Sequence, residues 1–87
     1  MKQRVFDGME YVYAVYREGS FQKAAEKLFV SQPSVSASVR RVEERVGSRL
    51  FDRSRRVVTL TPAGREFEPH ARKLLADYDE MMASIKR

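Results

Sequence analysis

Cysteine and tryptophan are both absent from the 87 residues, histidine occurs once, and glycine and proline number only four and three. Without cysteine there is neither a disulfide framework nor a thiolate metal site, which suits a reducing compartment such as the cytoplasm. The single histidine, His70, falls in a helical pattern with no cysteine beside it. A solvated or structural histidine there outweighs a catalyst or ligand. No glycine-rich phosphate loop is present, and the carboxylates are scattered among Lys and Arg as on a solvated helix. An enzyme, a cofactor and a metal centre are therefore not expected. No apolar run approaches the ~20 residues of a membrane span, and residues 1–7 lack the apolar stretch of a signal peptide.

What is abundant is positive charge. Lys and Arg number 17 against 12 Asp and Glu, for a net charge of +5. A basic domain of this size suggests an anionic partner, nucleic acid above all, although solubility alone accounts for many such charges. Hydrophobic residues at 43% and charged residues at 33% describe one small globular domain.

The pattern is mainly helical. Phe6, Met9, Val12, Val15 and Tyr16 recur at helical steps and predict a first helix over Val5–Glu18 with one apolar face, ended by Gly19. Ser20 is placed to cap a second helix, Phe21–Leu28, whose Ala24 and Ala25 permit close packing. Only Phe29 and Val30 then precede Ser31, the expected N-cap of a third helix with Pro33 in its first turn. Val35, Val39, Val42 and Val46 predict a stripe on that helix facing the first two, stopped by Gly47. Residues 49–53 and 57–60 suggest a two-stranded hairpin across Ser54, Arg55 and Arg56. Thr61-Pro62 opens a fourth helix. Phe67, Ala71, Leu74, Tyr78, Met81 and Ile85 give it a heptad rhythm to the last residue, a length of roughly 40 Å. Pro69 lies inside this helix, where it costs about 3 kcal/mol if uncompensated.

The exposed side of the third helix would carry Gln32, Ser34, Ser36, Ala37, Ser38, Arg40 and Arg41. Small polar side chains let a helix approach base edges in a major groove about 12 Å wide, and a Gln amide suits an adenine edge. The same face also reads as an ordinary serine-rich solvated surface. The following hairpin tips the balance, with Arg49, Arg53, Arg55 and Arg56 opposed only by Asp52. Arginine suits phosphate contact and narrow minor grooves. Tyr11 and Tyr13 fall on the first helix at core or rim positions, so no aromatic platform for single-stranded bases is evident.

These residues also resemble a known family. Gly19-Ser20-Phe21, Ala24-Ala25-x-x-Leu28-x-Val30-Ser31-Gln32-Pro33-Ser34-Val35-Ser36, Arg41-Val42-Glu43, Val46-Gly47-x-x-Leu50-Phe51-x-Arg53 and Leu60-Thr61-Pro62-Ala63-Gly64 are together similar to the N-terminal domain of LysR-type transcriptional regulators. The likeness covers residue 4 to about 87 in one register. It implies a mainly α winged helix-turn-helix, three helices plus a two-stranded wing, followed by a dimerising linker helix. Residues 1–60 would be the DNA-binding unit and 61–87 the linker.

Carried over by position, Ser31, Gln32, Pro33, Ser34 and Ser36 would meet double-stranded DNA, joined by Ala37, Arg40 and Arg41, while Arg53, Ser54, Arg55 and Arg56 would form the wing. Ala37 departs from a common long polar side chain and would offer an apolar touch to a thymine methyl. Arg55 departs from a common wing glycine, adding charge. Pro69 matches the family's linker helix. Leu74, Leu75, Tyr78, Met81, Met82 and Ile85 are expected to hold a homodimer on an inverted-repeat operator. A small-molecule effector would act only through the family's C-terminal domain, of which this sequence has no part; the heptad running out at Lys86-Arg87 suggests a DNA-binding portion of a longer regulator. The rival reading is a winged helix serving protein contact or assembly, without DNA reading.

Overall fold

The computed structural model describes residues 4–86, with side chains described from Gly8 onward. Four helices and one small sheet follow in order: α1 (Arg4–Glu18), α2 (Phe21–Leu28), α3 (Gln32–Val46), β1 (Phe51–Asp52), β2 (Thr59–Leu60) and α4 (Pro62–Lys86). The expected side chain of Phe6 on the α1 face lies outside the described residues, as do Met1–Gln3.

Each helix begins and ends where local chemistry requires. The Ser20 hydroxyl accepts the Lys23 N–H at 3.1 Å, and Ser31 accepts that of Ser34 at 3.2 Å, so both N-termini gain a partner for a donor the helix cannot satisfy. Thr61 caps α4 through Gly64 N–H at 3.0 Å while donating its own proton to the Arg49 carbonyl. Gly19 and Gly47 follow α1 and α3 in left-handed conformations. Between α2 and α3 the left-handed position is taken instead by Phe29, at φ 58°, with Val30 N–H bonded to Ala25 C=O.

The core is built from Val12 and Val15 of α1, Phe21, Ala24 and Ala25 of α2, Val35 and Val39 of α3, and Leu50 and Phe51. Alanines on α2 keep that helix close to its neighbours, and Gly8 does the same for α1 against α3. A Cβ at Gly8 would stand 2.6 Å from Val42 Cγ2, below any van der Waals separation. Two positions differ from the sequence pattern. Tyr16 is exposed and stacks on Tyr13, ring centroids 5.9 Å apart. Val46 is also exposed; the inward position near the end of α3 belongs to Glu43, four residues after Val39.

The hairpin is shorter than its apolar alternation suggests. Only Phe51↔Leu60 and Asp52↔Thr59 pair, antiparallel, leaving residues 53–58 as the wing loop. Arg49, Leu50, Arg53, Val57 and Val58 are therefore outside the strands. Asp52 turns the chain at once: its Oδ1 accepts both the backbone N–H (2.9 Å) and the hydroxyl (2.6 Å) of Ser54. Val58 packs partly on the core without joining the strand, and Val57 is exposed.

Helix α4 runs on through Pro69, flanked by the Glu68–Arg72 ion pair at 3.0 Å. Its apolar rhythm divides in two. Phe67 and Ala71 pack on the domain itself, whereas Leu74, Met81 and Ile85 stand exposed and Leu75, Tyr78 and Met82 half-buried.

Candidate nucleic-acid interface

Helix α3 opens with a polar network. Ser31 Oγ donates to Ser34 Oγ at 2.9 Å, and Gln32 Nε2 donates to Ser36 Oγ at 3.2 Å. The second bond fixes the amide at the surface while leaving its oxygen and one N–H unused. Those two groups are the pair an adenine edge requires. Ser31, Gln32, Pro33 and Ser34 are exposed, and Ser36, Ala37 and Ser38 half-buried. One turn later Arg40 and Arg41 are exposed on different flanks. Arg41 Nη2 reaches back to Ser38 Oγ at 3.3 Å. Gln32, Ser36 and Arg40 recur at steps of four, sharing a flank with Glu43.

At Glu43 that flank is tied to the segment entering β1. Glu43 Oε2 accepts the backbone N–H of Leu50 at 2.8 Å and of Phe51 at 3.4 Å, and the side chain is buried. A buried carboxylate receiving two N–H groups is satisfied rather than stranded, and it fastens α3 to the segment entering β1. The C-terminal half of α3 is thereby tied to the segment from which the arginine-rich loop departs.

The expected wing residues divide. Arg55 and Arg56 are exposed in the loop. Ser54 is occupied by Asp52, and its two hydrogen bonds, side chain first, hold the Asp52 carboxyl below its ordinary range, helped by the Arg55 charge. Arg53 is not a free loop cation. Its guanidinium lies over the Phe21 ring, 3.9 Å from the centroid, and Phe21 meets Phe51 edge-on at 5.8 Å. Burial against these rings pushes the Arg53 pKa down, with the Glu43 charge opposing and Arg49 and Arg40 adding repulsion. Stacking on an aromatic face is a use of arginine that lysine could not match.

Glu43 and Phe21 are the residues fastening this region that sequence reasoning did not assign to it. Glu43 had a signal: it stands four residues after Val39, in register with the buried stripe.

Residues 6–65 match the family described as bacterial regulatory helix-turn-helix protein, lysR family. The chain belongs to the LysR family. It is 42% identical over 79 residues to the HTH-type transcriptional regulator BenM of Acinetobacter baylyi, covering 91% of this chain and 26% of BenM. Identity to the regulator CitR of Bacillus subtilis is 41% over 68 residues, covering 78% of this chain and 23% of CitR. The crystal structure of the BenM DNA-binding domain in complex with catB site 1 DNA superposes with a TM-score of 0.91 at 39% identity, covering all of this chain and 94% of that one. The fold of this LysR-family chain is thus a winged helix-turn-helix carrying a long C-terminal helix. The chain spans about a quarter of the length of these relatives.

Proposed function

We propose that this chain is the DNA-binding part of a LysR-type transcriptional regulator, a reader of double-stranded DNA rather than an enzyme. The observation that carries the reading is the first two turns of α3. Their outer face holds exposed Ser31, Gln32 and Ser34 with half-buried Ser36 in hydrogen bonds to one another, and presents no large apolar side chain. Such a surface can enter a major groove, with Gln32 reading a base edge and Ala37 offering a methyl-sized contact. The positive end of the α3 dipole favours phosphate nearby. Arg55 and Arg56 extend from the wing toward flanking backbone or minor groove. The likeness to a domain crystallised with DNA supports the same assignment.

In this reading residues 61–87 form the linker unit, and Leu74, Leu75, Tyr78, Met81, Met82 and Ile85 pair two copies. Exposed Leu, Met and Ile on one stripe are each worth roughly 1.5–3 kcal/mol when covered, before association costs. Two-fold pairing implies an inverted-repeat operator with half-sites about 34 Å, or a multiple, apart. A DNA partner puts the site of action in the bacterial cytoplasm. A small-molecule effector acts through a further domain of the kind the family resemblance implies.

Selection of binding sites from random duplexes, followed by anisotropy titration at two salt concentrations, tests the proposal. Enrichment of an inverted repeat, with affinity falling steeply in salt, is the expected outcome. Failure to retain any duplex at low salt would leave a protein-assembly module as the better reading, with α4 as its contact surface.

A further inference from the structure

Between the end of α3 and the entry to the wing lies an open cleft of about 420 Å³, whose lining includes Arg40, Glu43, Glu44, Ser48, Arg49 and Arg53. Three arginines line it from three places in the chain: Arg40 from α3, Arg49 ahead of β1 and Arg53 just after it. Among the described residues none of the three has an ion-pair partner; the pairs present, Glu68–Arg72 and Lys73–Asp77, are both on α4. Glu43 is already engaged by the Leu50 and Phe51 N–H groups, and Glu44 stands at the rim. The cleft keeps one cation in excess.

Three guanidinium groups against two carboxylates leave a net positive cleft, which an anion would neutralise. Burial lowers the Arg53 pKa most; the Glu43 charge opposes that shift, and Arg49 and Arg40 add to it. Arg53 cannot swing away cheaply, because its guanidinium is stacked on Phe21 at 3.9 Å. A tetrahedral oxyanion offers acceptors enough for several arginine forks at once.

We propose that Arg40, Arg49 and Arg53 form a phosphate site in this cleft, separate from the base-reading turn of α3, and that a backbone phosphate of the bound duplex occupies it. The proposal rests on the DNA-binding reading above and adds Arg49 to the interface. It also makes Arg53 a fixed phosphate ligand rather than a probe of the minor groove. Arg40 lies eight residues from Gln32 on the same flank, about 12 Å along the axis.

The test uses the duplex recovered by selection, carrying one uncharged methylphosphonate at each backbone position in turn. Wild-type protein loses affinity at one phosphate per half-site that Arg40→Ala and Arg49→Ala no longer sense. Each variant binds the unmodified duplex roughly tenfold more weakly, and the double variant loses less than the product of the two. Circular dichroism confirms that both variants remain folded; neither removes the Arg53–Phe21 stack.

A second arm titrates inorganic pyrophosphate without DNA and follows the arginine Nε–H resonances. Saturable shifts at Arg40, Arg49 and Arg53, abolished by Arg49→Ala, would assign the site to free anions as well as to backbone. Variants with wild-type affinity and an unchanged methylphosphonate pattern, together with no pyrophosphate shift, would overturn the phosphate site while leaving DNA reading intact. Should wild-type protein bind no duplex at all, the DNA reading fails, and the pyrophosphate arm alone decides the cleft.

Discussion

The Glu43 carboxylate accepts the backbone N–H of Leu50 at 2.8 Å, seven residues along the chain and across the turn that ends α3. This bond makes a buried acid the fastener between the helix offered to DNA and the segment entering the wing. Removing it strands two backbone donors. Glu43→Ala is expected to cost about 1–3 kcal/mol, read from urea unfolding, whereas Glu43→Gln keeps an oxygen acceptor and costs less. Equal stability of the wild type and Glu43→Ala would show that the carboxylate fastens nothing.

Gly64 marks a second contact across the same region. A Cβ at this position would collide with the Leu50 carbonyl oxygen and stand 3.0 Å from Leu60 Cδ2. The start of α4 therefore lies against backbone that cannot yield as a flexible side chain would. Gly64→Ala should destabilise by at least about 1–3 kcal/mol, although alanine is the better helix former. Thermal unfolding of that variant checks it, and a rise in Tm would contradict the packing described.

Phe29 is 92% exposed and left-handed at φ 58°. Its ring gains little from burial, and its backbone bears the steric cost that L-residues meet in that region, roughly 1–2 kcal/mol. Asparagine tolerates the conformation. Phe29→Asn is expected to stabilise the fold by about 0.5–1 kcal/mol in the same denaturation assay. A loss of stability would mean that the ring has a packing role not visible in its exposure.

Gln32 has its amide held by Ser36 at 3.2 Å. Gln32→Ala should cost about 1–3 kcal/mol on the selected duplex and relax preference at one base pair. Ser36→Ala, which frees the amide without removing it, should give a smaller loss at that same base pair. Competition titrations with single-base variants distinguish this from a uniform loss, which would deny Gln32 a reading role.

Tyr78 lies in the stripe between exposed Leu74 and Met81. Tyr78→Asp places a charge in the surface assigned to pairing and should shift sedimentation from dimer to monomer. It should also weaken binding to a full inverted repeat far more than to one half-site. A variant that sediments as the wild type would put the interface elsewhere.

Much was legible in the sequence because much is local. Ser20, Ser31 and Thr61 announce helix starts through side-chain oxygens that reach only three residues. Gly19 and Gly47 announce ends through a conformation that side chains resist. The valines at 35 and 39 and the alanines at 24 and 25 declare their burial by spacing. The polar opening of α3 was equally visible, as was the apolar rhythm of α4.

What the chain order could not express was contact between distant residues. Glu43 looks like one more acid on a charged helix until the fold brings Leu50 and Phe51 against it. Arg53 reads as a wing cation until the same packing sets it on Phe21. The hairpin shrank to two pairs where Asp52 turns back on Ser54. Local hydrogen bonding and periodicity are short-range and written in neighbouring residues, whereas burial and charge environment depend on which remote surfaces meet, and only the tertiary structure decides that.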